Sequence, residues 1–284
     1  MSRWLTDELH VSLSPDQVGV AHVRRNLGFK QIKREVVSRQ NIVCTPDSDA
    51  SPWTAALKAL DSLLPQYAAD HPNVIMVLSN HFVRYVLVPW SDLVTSEEQQ
   101  LAYTRHCFQM TYGTMSAAWD IRLSRTTVGA AQIASAIDGN LMTACHDLVE
   151  RQGFRLTSVQ PYLMSAFNRL KLQFEGMNAW FALAEPGNIC LAQLHQGHWH
   201  RLRTSRLGNG WEEFSRFLQR EAMMGSSEVQ AGAQVLYLYA PHLGYTQTIN
   251  GWKIIELPSP LPTSLTEETE RSLVMALSGA TNGI

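Results

Sequence analysis

Three histidines that lie close together in the sequence are the first group that could do chemistry. His198 and His200 are two residues apart, so a strand would place both imidazoles on one face. His195 precedes a two-residue Gln196-Gly197 turn, which could bring its ring to the same place. Imidazoles bind zinc, but no cysteine or carboxylate nearby completes a ligand set. Exposed hairpin histidines are therefore the favoured interpretation and no metal is expected, with a metal-dependent hydrolase kept as an alternative.

Motifs for covalent catalysis or phosphate binding are absent from the sequence. His106–Cys107 and His146–Asp147 are neighbours on predicted helices, where adjacent side chains point about 100° apart. Neither pair can therefore form a nucleophile and its base by itself. The sequence contains no Gly-x-Ser-x-Gly turn, no phosphate loop ending in Gly-Lys-Ser/Thr, and no His-Glu-x-x-His helix. A triad can still assemble from residues that are distant in the sequence, but nothing in these motifs points to an enzyme.

Aromatic and arginine side chains are concentrated in one central stretch of the chain. The candidates for partner binding are Arg84, Tyr85, Trp90, Trp119 and Arg122. Because aromatic and arginine side chains dominate the anchors of protein interfaces, we predict that they line a groove for a peptide. The predicted strand 82–88 and the predicted helix 96–112 are the expected walls of this groove. The alternative interpretation places the aromatic rings in a local core and the arginines at its rim.

A second arginine group invites a nucleic-acid interpretation. Arg201, Arg203 and Arg206 follow Trp199, so stacking and phosphate contacts are conceivable. Alternating arginines on a strand are more typical of its solvated face. The 284-residue chain has 23 Lys and Arg against 25 Asp and Glu, a formal net charge of −2, whereas phosphate neutralisation needs a basic field. No nucleic-acid partner is expected.

Length and composition indicate an ordinary globular protein with two domains. The chain is 45% hydrophobic and 17% charged, and its length exceeds the size at which one core is usual. Its four cysteines show no short pairing and are expected to be free thiols. Arg3, Asp7 and Glu8 interrupt any signal peptide, and no apolar run reaches the length of a membrane helix. We expect a soluble, cytoplasmic protein.

The elements that would position these residues form two similar series. Residues 179–206 contain three runs of strand-forming residues separated by two tight turns, and a helix follows. Residues 9–38 contain three more such runs, and a helix follows them too, with Ser51 as its expected cap and Pro52 as its first residue. Two three-stranded meanders, each with a helix to cover it, predict a duplicated α/β chain.

The segment between the two series contains further elements. The predicted elements are strands at 73–78 and 82–88, a helix at 96–112 with Thr95 and Glu98 as its capping box, strands at 119–123 and 128–135, a helix at 138–153, a strand at 154–159 and a helix from Pro161. We therefore predict a first lobe at 1–160, with an inserted α+β subdomain at about 92–160, and a second lobe at 161–284.

This order of elements resembles the duplicated actin-like (ribonuclease H-like) ATPase fold. The strand that ends in Leu87-Val88-Pro89-Trp90 and leads into the capped helix also resembles the bacterial PilM-type proteins of type IV pilus assembly and the cytoplasmic domain of the type II secretion L protein. The resemblance implies a location at the inner face of the inner membrane. It also implies a partner, either the short cytoplasmic N-terminal segment of an inner-membrane assembly protein or the assembly ATPase.

The loops that hold ATP and magnesium in that fold are altered in this sequence. The first hairpin turn, 12–16, has no glycine and includes Pro15, which lacks an N–H donor. Ala184 stands where the resemblance implies an acidic residue, and Ala240-Pro241 replaces a Gly-Gly loop. Carboxylates and phosphate donors are needed together, so no ATP or magnesium is expected. We predict a pseudo-ATPase scaffold, and the alternative is an active ATPase or kinase with atypical loops.

Overall fold

A computed structural model of the protein describes residues 6–27, 32–47, 49–208, 210–225, 234–240, 248–258 and 267–279. The strands are β1 Glu8–Leu13, β2 Gln17–Leu27, β3 Ile32–Val43, β4 Asn73–Leu78, β5 Val83–Val88, β6 Trp119–Leu123, β7 Gln132–Asp138, β8 Arg155–Pro161, β9 Ala179–Glu185, β10 Asn188–His195, β11 His198–Ser205, β12 Gln234–Tyr239 and β13 Trp252–Glu256. The helices are α1 Thr54–Leu63, α2 Glu97–Tyr112, α3 Gly139–Arg151, α4 Tyr162–Leu170, α5 Trp211–Gly225 and α6 Glu267–Ser278.

Two five-stranded sheets repeat one topology. The first sheet has the order β3-β2-β1-β4-β8 and the second has the order β11-β10-β9-β12-β13. In each sheet three antiparallel strands form a meander. The first strand of the meander pairs in parallel with a later strand, and that strand pairs in parallel with the last one. The predicted duplicated α/β fold is confirmed by this repeat.

A third, smaller sheet differs in its limits from the expected insertion. Its order is β5-β7-β6, and all its pairs are antiparallel. It therefore begins at Val83, whereas the insertion was expected at about 92. The strand expected at 128–135 is Gln132–Asp138, preceded by a turn. β8, which was included in the insertion, pairs with β4 in the first sheet, because its backbone continues the parallel ladder there.

The beginnings of two helices differ from the prediction. α1 begins at Thr54, two residues after Pro52, and no side chain caps it. The capping box of α2 consists of Ser96 and Gln99, one residue after the predicted pair. Gln99 Oε1 accepts from the backbone N–H groups of Thr95 and Ser96 at 2.9 and 3.3 Å, so Gln99 takes the place expected for Glu98. Asn209, which precedes α5 in the sequence, lies outside the described residues.

The last helix, α6, packs on the first sheet although the second lobe was expected to extend to residue 284. Gly19 on β2 allows this approach, because a Cβ there would lie 2.7 Å from Ser272 Cβ. Ser12 Oγ also donates to the Ser272 carbonyl at 2.7 Å. Leu273 and Leu277 pack on Ala21 and Val23 of the same sheet face.

Among the described residues, apolar side chains form one large core and three smaller ones. The large core includes β1, β4, α1, α3 and α4 and extends to β9 and β10 of the second sheet. Trp211, Phe214, Phe217 and Leu218 of α5 cover the other face of the second sheet, as predicted. All four cysteines are free. None of the described helices is long and apolar enough to cross a membrane.

Candidate functional site

The two meander hairpins face each other across a small cleft. The turn after β1 contributes Ser14 and Asp16, and the turn after β9 contributes Glu185 and Pro186. His81, Tyr162 and Arg271 complete most of the lining. The enclosed volume is about 20 Å³. These hairpins occupy the positions at which the actin-like resemblance implies phosphate-binding loops.

The Glu185 carboxylate closes one side of this cleft. Glu185 is only 8% exposed, and its carboxylate reaches the residues that follow β4 of the first sheet. Ser79 Oγ donates to Oε1 at 2.6 Å. The backbone N–H and the side-chain amide of Asn80 donate to Oε2 at 3.0 and 2.6 Å. A buried carboxylate is stable only when such donors replace water, so these bonds tie the second lobe to the first.

An ion pair closes the other side of the cleft. Arg271 on α6 donates through Nη2 to Asp16 Oδ2 at 2.6 Å and through Nε to Gln17 Oε1 at 3.3 Å. The guanidinium thus pairs with the carboxylate that would otherwise be available to a bound cation. The only acidic side chain of the first hairpin turn is neutralised by the chain's own α6.

The cleft also brings together the three types of group found in a serine hydrolase triad. Ser79 Oγ lies 2.9 Å from His81 Nδ1 and donates to Glu185. In a catalytic triad the carboxylate orients the imidazole, whereas here it accepts directly from the serine hydroxyl. Ser79 is also completely buried, so its oxygen cannot reach a substrate. In this arrangement the Ser79 hydroxyl is a hydrogen-bond donor to the carboxylate of the other lobe.

The described residues of the cleft do not fit a magnesium nucleotide. A volume of about 20 Å³ is close to the space needed by one water molecule. Both carboxylates at the cleft already have partners, whereas magnesium phosphate binding needs free oxygen ligands and free donors. Ala240 directly follows β12, and Pro241 lies outside the described residues.

Glu185 is not among the residues predicted from the sequence, because Ala184 was assigned to the position at which the resemblance implies an acidic residue. The local signal is a single glutamate at the end of an apolar strand, directly before the Pro186-Gly187 turn. Charged residues are seldom buried without a partner, so this position needed one. The partners Ser79 and Asn80 are 106 and 105 residues away, and no local pattern identifies them.

A larger groove lies between the small sheet and the first sheet. β6 and β8 are terminal strands in the orders of their sheets, and residues of both line this groove. α3 contributes Met142 and His146, and the volume is about 360 Å³. The other lining residues are Asp120, Arg122, Ser135, Ile137, Leu156, Thr157, Ser158, Val159 and Pro161. This groove is mostly apolar and hydroxyl-lined, with one pair of opposite charges.

The predicted partner residues of β6 lie on opposite faces of that strand. Arg122 lines the groove, and its guanidinium is 3.4 Å from Asp120. Trp119 packs on the other face, edge to face with Phe108 and Tyr112 at ring distances of 6.2 and 5.3 Å. Trp119 therefore lies in a local aromatic core, which was the alternative to a role in the peptide groove. A role for Arg122 in partner binding stays a prediction.

The remaining three predicted residues lie at or beyond β5, which β7 separates from β6. Arg84 donates to the carbonyls of His81 and Val83. Tyr85 is buried, and burial raises the pKa of its hydroxyl well above the usual range. Trp90 is 39% exposed and donates to Asp92.

The two elements expected as walls of the peptide groove do not line the groove between β6 and β8. β5 contacts β11, and α2 covers the face of the small sheet that is opposite the groove. The structure thus does not gather the five residues in one groove.

The histidine and arginine groups predicted in the second lobe lie on and around β11. The His195 and His200 rings are 6.3 Å apart. Across the part of the chain that the structure describes, no three His, Cys, Asp or Glu side chains are grouped to hold a metal.

Arg201 and Arg203 lie 3.2 and 3.8 Å from the buried Glu221 carboxylate of α5. They attach that helix to its sheet, while Arg206 is exposed.

Comparison with solved structures identifies the fold. A chain of a PilM–PilN type IV pilus biogenesis complex matches with a TM-score of 0.64 and 13% identity, over 95% of this chain and 96% of that one. EpsL, an inner-membrane component of the type II secretion system of Vibrio cholerae, matches through its cytoplasmic domain with a TM-score of 0.58 and 12% identity, over 96% and 94%. A Bacteroides thetaiotaomicron protein with an actin-like ATPase fold and unknown function matches with a TM-score of 0.55 and 11% identity, over 84% of each chain.

Sequence comparison gives no relative. No known protein family matches the chain, and no curated protein matches it by sequence. At 11–13% identity the structural similarity shows the fold and not the activity. The protein has the duplicated actin-like ATPase fold, and the predicted resemblance to PilM-type and L-type proteins is confirmed at this level.

Proposed function

We propose that this protein is a non-catalytic actin-like scaffold of a type IV pilus or type II secretion-like platform. It binds a short cytoplasmic segment of an inner-membrane assembly protein and is held at the inner face of that membrane by this partner. It uses no ATP, magnesium or other cofactor. The observation that carries the proposal is a groove of about 360 Å³ between two terminal strands, beside a cleft between the meander hairpins of only about 20 Å³.

The groove is suited to an extended peptide. A terminal strand presents backbone N–H and C=O groups that a peptide can pair with as an added strand. Ile137, Met142, Leu156 and Val159 offer apolar surface for alternate side chains of such a peptide. The ion pair of Arg122, whose side chain is 79% exposed, contributes little to stability and leaves the guanidinium free to contact the partner.

The closed cleft supports the non-catalytic part of the proposal. Glu185 and Arg271 line the cleft between the meander hairpins, where the actin-like resemblance implies phosphates and a cation. A nucleotide would need to displace a buried carboxylate from three donors and an arginine from Asp16. Each displaced charge would lose charge-assisted hydrogen bonds, which are the strong ones in proteins. The protein therefore uses its actin-like fold to present binding surfaces to partners and not to bind a nucleotide.

Peptide capture with a matched pair of methionine variants tests the proposal. The probes are fluorescent peptides with the cytoplasmic N-terminal sequences of inner-membrane proteins encoded beside this chain. Met142→Glu places a charge on the groove floor, and we expect it to weaken the captured peptide's affinity by about tenfold or more. Met110→Glu makes the same change on the exposed face of α2, outside the groove, and should change affinity less than about twofold.

The structural integrity of both variants is checked by their melting temperatures. Arg122→Ala should give a smaller loss of affinity than Met142→Glu, because its guanidinium lies at the solvated rim of the groove. Equal capture by wild type and Met142→Glu would contradict the groove assignment. Failure of every such peptide to bind wild-type protein would contradict the proposed partner class.

A further inference from the structure

Asn80 joins four parts of the molecule through its side chain and backbone. It follows β4 in the first sheet and donates twice to Glu185 of the second lobe. Its Oδ1 accepts from the Tyr85 hydroxyl of β5 at 2.6 Å and from the Leu163 N–H of α4 at 3.2 Å. Asn80 is 3% exposed, so these bonds do not compete with bulk water. One amide therefore connects both five-stranded sheets, the small sheet and α4.

The bond from Tyr85 continues into the small sheet. Burial keeps the pKa of the Tyr85 hydroxyl high, so the group is a neutral donor to Asn80. The Tyr85 carbonyl accepts from the Tyr112 hydroxyl of α2 at 3.0 Å. β5 pairs with β7, and β7 pairs with β6, which forms one wall of the groove. The position of that wall is thus linked to Asn80 through consecutive hydrogen-bonded strands.

The other wall of the groove leads to the same residue. β8 pairs in parallel with β4, and Asn80 lies two residues beyond the end of β4. β8 ends at Pro161, which lines the groove, and the N–H of Leu163 two residues later binds Asn80. Both walls are therefore fixed relative to one amide whose orientation depends on Glu185.

We propose that Glu185, Ser79, Asn80 and Tyr85 form an interlobe lock that sets the distance between β6 and β8. Glu185 is the positioning residue: by holding Asn80 from the second lobe, it keeps the groove at the width that accepts a peptide strand. Opening the cleft between the lobes releases Asn80 and loosens the groove. This inference rests on the proposed function of the groove, and it adds that the former nucleotide cleft controls it.

Two tyrosine variants provide a matched test. Tyr85→Phe removes the hydroxyl that binds Asn80, whereas Tyr112→Phe removes a hydroxyl bond within the small subdomain. Amide hydrogen exchange is followed by mass spectrometry in β6 and β8, with β10 as an internal reference for global unfolding. We expect Tyr85→Phe and Glu185→Ala to speed exchange in β6 and β8 by about tenfold more than in β10, which reports any loss of global stability. Tyr112→Phe should leave β8 unchanged.

Peptide affinity provides the second readout. Glu185→Ala and Tyr85→Phe should weaken capture by about tenfold, and Glu185→Gln, which keeps an acceptor for Asn80, should restore most of it. Unchanged exchange at β6 and β8 in both Glu185→Ala and Tyr85→Phe would overturn the lock, whatever the affinities are. Loss of the proposed function alone has a different signature: wild type captures no peptide, while exchange in the two variants still rises as expected.

Discussion

At the residue scale, the cleft depends on where charged side chains are placed. Glu185 is buried and accepts three hydrogen bonds, and Arg271 pairs with Asp16 at 2.6 Å. The Glu185 carboxylate and the Arg271 guanidinium thus each have hydrogen-bond partners within the protein, as polar groups in protein interiors usually do.

The Glu185 carboxylate should contribute measurably to stability. Glu185→Ala leaves the buried donors of Ser79 and Asn80 without an acceptor, at a cost of about 1–3 kcal/mol. Glu185→Gln should cost less, because its amide oxygen can still accept from Asn80. Urea denaturation of both variants measures the difference. Equal stability of Glu185→Ala and wild type would mean that these hydrogen bonds do not hold the lobes together.

A second buried carboxylate makes stability depend on pH. Burial by itself raises the pKa of Glu8, but the hydrogen bond from His10 and the charges of His10, Arg25 and Arg34 outweigh it and lower the pKa below 4.5. Because the pKa is lower in the folded state, the carboxylate's contribution is complete above the ordinary glutamate pKa. It is lost as the pH falls through the folded-state pKa.

Replacing Glu8 should therefore flatten the acid side of the stability curve. Denaturation at a series of pH values below 5 should give a shallower slope for Glu8→Gln than for wild type. Glu98→Gln, in the exposed first turn of α2, is the control and should retain the wild-type slope. A parallel loss of stability with acid in Glu8→Gln and wild type would contradict this role of Glu8.

At the element scale, local sequence predicted which elements form better than where they begin. The Pro186-Gly187 and Gln196-Gly197 turns specify the hairpins of the second meander locally. Three strands form in each of the two meanders, as expected. The observed beginnings of α1 and α2 lie one or two residues after the predicted ones. Thr95 and Ser96 are equally good caps in sequence, and the choice between them depended on whether Glu98 or Gln99 turned back to the chain.

One hairpin turn depends on a glycine for two separate reasons. Gly197 has φ +79°, and a Cβ there would lie 2.7 Å from the Phe174 carbonyl oxygen. Gly153, after α3, has φ +80° and open space around it. Gly153→Ala should therefore lower the free energy of unfolding only by the penalty of placing an alanine in the left-handed backbone conformation, about 1–2 kcal/mol.

Gly197→Ala should cost about 1–3 kcal/mol more than Gly153→Ala, because overpacking against backbone adds to the conformational term. Thermal and urea unfolding of the two variants gives the comparison. Equal losses of stability would show that the close approach to Phe174 relaxes without cost.

At the scale of the whole molecule, the sequence predicted the duplication but not the contacts that cross it. β8 joins β4, and β5 joins β7, through pairings between strands separated by more than 40 residues. α6 returns to the first sheet because Gly19 admits Ser272, a match that no periodicity reveals. The groove and the cleft are both formed by such long-range contacts, so the sequence indicated their residue types and not their positions.

The closed cleft is most directly tested by the melting temperature of the wild-type protein with and without magnesium ATP. A ligand that binds the native state at 100 times its Kd stabilises it by about 2.7 kcal/mol, which for a chain of this size raises the melting temperature by about 5 °C. We predict no rise at millimolar magnesium ATP, because Glu185 and Arg271 occupy the cleft. A concentration-dependent rise, abolished by Asp16→Ala, would contradict a scaffold that works without nucleotide.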